Sequence, residues 1–120
     1  MKSPIKALAI SSIFLFCLAS CSFSAPSIKE EKGVLTEAGY TVTVTSGDDI
    51  DTTSKDTPLY GLVGVEDCLY AQKDSDEIYL IYFVSTSFAS DSMIYTKLKV
   101  GQINQLVYTG TAQAIKDAKL

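Results

Sequence analysis

Apolar and polar positions along the chain change period several times, and each change marks an element. Residues 40–45 alternate strictly: Tyr40, Val42 and Val44 on one side, Thr41, Thr43 and Thr45 on the other, the pattern of a half-buried strand. Just before it, Ile28, Leu35 and Ala38 fall on one helical face. Ser27 and Glu30 form a capping box at its start and Gly39 stands one past its end, which predicts a helix over 28–38. Residues 65–72 and 77–85 read as a hairpin around Lys73-Asp74-Ser75-Asp76. In the first strand Val65, Leu69 and Ala71 share a face opposite Cys68 and Tyr70. The second is apolar on both faces, with Ile78, Leu80, Tyr82 and Val84 against Tyr79, Ile81 and Phe83. A strand loaded on both sides is central and covered twice.

The flanking segments are less regular. Residues 46–57 form a polar interruption, and 58–64 an apolar link with Pro58, Gly61 and Gly64. Residues 88–99 fit a helix ended by Gly101, although Ile94, Thr96, Leu98 and Val100 also fit a strand. Asn104–Thr109 is the last strand, Gly110 ends it, and Thr111 caps a helix through Ala118 with Ala114, Ile115 and Ala118 inward. The order predicts a small single α+β domain, with helices on one side of a four-stranded, mainly antiparallel sheet. A ferredoxin-like arrangement is one topology compatible with it.

Ahead of this domain the pattern is of another kind. Lys2 and Lys6 are followed by an uncharged run from Ala7 to Ala19, then by Leu18-Ala19-Ser20-Cys21. A charged start, an apolar stretch and small residues before a cleavage point are the parts of an export signal. The 13 residues of the run would span only ~20 Å as a helix, short of the roughly 30 Å of a hydrocarbon core. A permanent span is the weaker reading.

The four residues Leu18 to Cys21 resemble a bacterial lipobox. The resemblance implies a lipoprotein cleaved between Ser20 and Cys21, with diacylglycerol and an acyl chain such as palmitate on Cys21. Two or three chains anchor stably where one does not. It divides the chain into a removed signal peptide (1–20), a lipidated tether (21–26) and the α+β domain (27–120). It places the domain in the bacterial cell envelope, outside the cytoplasm, on the plasma membrane or on an outer membrane if one exists. Ser22 resembles the outer-membrane sorting class in that second case. The segment Leu106–Ala118 is also similar to the ends of small lipoproteins of Gram-positive bacteria, which implies no activity.

Charge and composition narrow the partners. After removal of residues 1–20, 8 Lys face 14 acidic residues, with no Arg and no His. So acidic a chain lacks the basic footprint that nucleic acid demands and is repelled by anionic lipid, so the acyl anchor must hold it. With Cys17 removed and Cys21 lipidated, Cys68 is alone, and no disulfide forms within the domain. A buried, inert thiol is the expectation for it.

Candidate chemistry is sparse. Without His there is no Ser-His-Asp or Cys-His arrangement, and one cysteine makes no zinc site. Asp49-x-Asp51-x-Thr53 copies the start of an EF-hand loop, but Ser54 replaces its turn glycine and Tyr60 its bidentate glutamate. The acidic clusters Asp48, Asp49, Asp51 and Asp74, Asp76, Glu77 lie in polar turns, where a raised pKa for hydrolysis is not expected. No enzyme, cofactor or metal is predicted. Tyr70, Tyr79 and Phe83, assignable to one sheet face, are the candidate binding platform for an envelope protein, a peptide or a glycan. Two alternatives are an envelope-assembly component without a small ligand and a carboxylate-based hydrolase.

Overall fold

The computed structural model describes residues 24–92 and 98–120. The segment read as an export signal and the cleavage point expected between Ser20 and Cys21 lie outside the described residues, as does part of the helix expected over 88–99. The elements are α1 (Ile28–Glu37), β1 (Thr41–Ser46), a 3-10 turn (Gly47–Asp49), β2 (Val65–Lys73), β3 (Asp76–Phe83), α2 (Thr86–Asp91), β4 (Lys99–Ile103), β5 (Leu106–Gly110) and α3 (Ala112–Ala118).

The fold is α+β, on five strands rather than four. They lie in the order β1-β2-β3-β5-β4, every neighbouring pair antiparallel. No helix crosses between parallel strands, so the topology is two joined antiparallel ribbons and not the ferredoxin-like βαββαβ arrangement. β3 is central, as its two apolar faces require. Helices occupy both sides. α1 and α3 cover one face and bury Leu35, Leu69, Ile78, Leu80, Leu106, Ala114 and Ala118. The other face is covered by the 50–64 loop and the short α2, over Cys68, Ile81, Phe83, Ala89 and Val107.

The first helix begins where the capping box sets it. Ser27 Oγ accepts from the Glu30 amide and Glu30 Oε1 from the Ser27 amide, both at 3.1 Å. It ends at Ala38, and Gly39 turns the chain with a φ of 96°. Lys73 Nζ then donates to the Ala38 carbonyl at 2.8 Å, satisfying one orphan acceptor of the last turn. The α3 start differs from expectation in one detail. Thr111 is the N-cap, yet its hydroxyl serves the sheet, accepting from the Glu77 amide at 3.2 Å and donating to Asp76 Oδ1 at 2.9 Å.

Three expectations are corrected. α2 stops at Asp91 and residues 99–103 are a strand. Gly101, expected to end a helix, lies opposite Tyr108, whose ring occupies the space where a Cβ would project. Gly110 does not break β5 but pairs with Ile78, packed so closely that a Cβ would sit 2.6 Å from the Glu77 carbonyl. Val65 lies on the Cys68–Phe83 face rather than with Leu69, because a bulge between Val65 and Asp67 inserts one residue and flips the alternation.

The two ends of the sheet differ. At one, Asp74 and Ser75 join β2 to β3, and Asp74 takes a φ of 55°. This end also receives the C-terminus of α1, since Thr41 pairs with Gln72. At the other end lie the start of β2, the exit of β3 and the β4–β5 turn, where Gln105 O accepts from the Phe83 amide at 2.8 Å. The chain ahead of α1 is held at this end, because Tyr82 Oη donates to the Pro26 carbonyl at 2.7 Å.

Candidate functional site

The loop over residues 50–64 shapes the site. The Gly61 amide donates to the Thr52 carbonyl at 2.8 Å and closes the loop on itself. Asp51 Oδ1 accepts from both the amide and the hydroxyl of Thr53, at 2.8 and 2.7 Å, which fixes a local turn. Those bonds, the Thr53 hydroxyl first, hold the Asp51 carboxyl below its usual range. Leu59, Ile50 and Leu62 pack into the cluster of Cys68 and Ile81, so this polar segment is pinned to the sheet by three apolar side chains. Gly61 and Gly64 take φ of 78° and 81°, which favours glycine.

Between loop and sheet lies a cleft of two adjoining cavities, about 320 and 460 Å³, that share Asp56, Thr57 and Tyr79. Each is in the size range of ligand pockets. The first reaches Asp49, Asp51 and Tyr70, the second Lys55, Pro58 and Glu77. Tyr70 and Tyr79 are register partners across β2 and β3 and lie against each other, ring centroids 4.6 Å apart and planes tilted by 40°. Tyr70 Oη donates to Glu77 Oε1 at 2.9 Å. Burial, with that bond, pushes the Tyr70 phenol up to about 12, and burial raises Tyr79 as well. Both remain neutral at physiological pH and present ring faces and hydroxyls rather than charge.

The three sequence-predicted platform residues do share a face, but not a role. Tyr70 and Tyr79 are half-buried in the cleft, whereas Phe83 is 1% exposed and belongs to the core beneath α2 and the loop. Cys68 is buried below the cleft, and burial pushes its thiol up to about 12. Of the acidic clusters, Asp49, Asp51 and Glu77 reach the cleft; Asp76 is turned to Thr111, and Asp74 stands in the exposed far-end turn. Among the described residues, no group of three or more His, Cys, Asp or Glu is placed to hold a metal ion.

Sequence reasoning missed two features. One is the cleft itself; Leu59, an apolar residue after a polar run, is the signal that the loop folds back. The other is Glu31, which is 3% exposed on the sheet side of α1 with Oε1 unpartnered. Burial, and then Glu30 beside it, raises its carboxyl to about 7. Comparison with family models, with curated proteins and with solved structures finds no match. Among the described residues no helix is long and apolar enough to cross a membrane.

Proposed function

We propose that this chain is a lipid-anchored protein of the bacterial cell envelope whose domain binds an extracytoplasmic partner, peptide or glycan through the Tyr70–Tyr79 cleft. The observation that carries the binding reading is the pairing of an aromatic floor with a polar rim in a preformed recess. Paired tyrosines supply contact area at low entropy cost. Around them Asp49, Asp56, Thr57 and Lys55 supply hydrogen-bonding groups of both signs at the lip. Glu77 is already engaged by Tyr70 and Asp51 by Thr53, so these carboxylates hold the recess in shape. The anchor reading rests on Leu18-Ala19-Ser20-Cys21 and the run before it.

The test is chemical crosslinking in intact cells, with wild type beside Asp56→Lys and Lys55→Glu, followed by mass spectrometry of the captured material. Both positions are exposed, so these changes should move stability by no more than about 0.5 kcal/mol. A captured set that thins in the lip variants supports the cleft as the binding surface. An identical set from all three proteins contradicts it.

A further inference from the structure

An apolar surface lies at the end of the sheet where the tether enters. Tyr60, Val63, Val84 and Phe88 are all large, exposed and apolar, Val63 to 68%. They are contiguous: Tyr60, Val63 and Phe88 line one shallow recess of about 400 Å³, and the Val84 amide donates to the Gly64 carbonyl at 2.8 Å. Phe88 packs directly on Gly64, where a Cβ would meet its ring at 2.7 Å, so the ring's position depends on the glycine. Scattered apolar residues need no explanation on a surface, but a grouped set does.

The position of Pro26 says what covers this set. Its carbonyl is held by Tyr82, two residues before Val84 on the same strand exit. Only five residue steps separate Pro26 from Cys21, a reach of at most ~17 Å. With Cys21 in a bilayer, this end of the domain cannot leave the lipid surface. The cleft cavity bounded by Lys55, Glu77 and Tyr79 lies toward the opposite end, since Glu77 is beside the Asp74–Ser75 turn.

We infer that Tyr60, Val63, Val84 and Phe88 form a docking surface for the bilayer interface, which holds the domain upright with the Lys55–Glu77 end of the cleft turned away from the membrane. This inference rests on the anchor reading above. Apolar and aromatic side chains of interfacial elements sit ~5–10 Å into the headgroup–acyl boundary. Asp91 borders the recess, so a neutral phosphatidylcholine surface suits it better than an anionic one.

The chain contains no Trp, so a single introduced one is a clean reporter. Full-length Val63→Trp and Ser75→Trp proteins would be made in a lipidating bacterium and reconstituted into phosphatidylcholine vesicles with plain or brominated acyl chains. The mass of the N-terminal peptide reports whether Cys21 carries lipid. Val84→Trp serves if Val63→Trp fails to fold. The expected result is lipidated Cys21, with emission at position 63 or 84 blue-shifted and lost in brominated vesicles while position 75 is unchanged. Lipidated Cys21 with no quenching at 63 or 84, or with equal quenching at 75, overturns the docking surface and leaves the anchor standing. An unmodified Cys21 overturns both.

Discussion

Glu31 is the residue whose environment fits its chemistry least. It stands three positions after Ile28 and four before Leu35, so the helical period that identifies the apolar face of α1 also places this carboxylate on it. The face was legible in the sequence, and the same spacing was the overlooked signal for the misfit. A carboxyl raised from 4.5 to about 7 on folding binds its proton more tightly in the native state. Stability is then full below pH 4.5 and falls as pH climbs to 7, by up to about 3 kcal/mol. Glu31→Gln should leave stability at pH 4 unchanged and raise it at pH 8 by an amount of that order. Urea titrations at the two pH values measure this; a variant with the wild-type pH slope would contradict it. Cys68 gives a second expectation at this scale. Its buried thiol should ignore a thiol-specific reagent such as Ellman's in the native state and react once the domain is unfolded. Rapid native labelling would contradict the packing at Ile81 and Leu59.

Local signals specified the elements unevenly. α1, β1 and the β2–β3 hairpin were readable because period, caps and turn residues agree there. Val44, expected inward, is nevertheless exposed on the edge strand β1, and Val84, expected in the covered strand, is exposed past the end of β3 at Phe83. β4 was not, because residues 88–99 satisfy both periods, and a glycine after an ambiguous stretch looks like a helix stop. What decides the matter is not local: Gly101 is the bed for the Tyr108 ring, and that contact exists only once β4 and β5 pair. Gly110 is similar, its missing side chain required by the Glu77–Ile78 backbone across the ladder. These two glycines should respond differently to alanine. At 101 the obstacle is the outer end of a tyrosine ring, which can swing aside. At 110 it is backbone in the central strand. Gly110→Ala should therefore cost about 1–3 kcal/mol, and Gly101→Ala clearly less, in chemical denaturation. The reverse order would refute the close approach of β3 and β5. The bulge after Val65 was equally hidden, since one inserted residue inverts a face without altering composition. Loss of the capping box in Ser27→Ala should cost about 1 kcal/mol, read from the same curves.

At the scale of the whole molecule, the proposed function would separate attachment from recognition. Pro26, the strand exit at Val84 and the apolar surface around Phe88 lie together at one end. The Tyr70–Tyr79 cleft opens on the loop-covered face and runs from Asp49, just after β1, to Glu77 at the other end. The excess of acidic residues fits that proposal, because it works against adsorption of the domain to anionic lipid and would leave position to the tether. Of the candidate site, the tyrosine pair was visible as register partners in a hairpin. The recess around it was not, because it forms only when Leu59 and Ile50 pull a polar loop onto the sheet. The proposed arrangement requires a lipid at Cys21, so the most direct measurement is metabolic labelling with radioactive palmitate. The account predicts that wild type takes up the label and sediments with membranes, and that Cys21→Ala loses both properties. Label retained in Cys21→Ala, or absent from wild type, would contradict it.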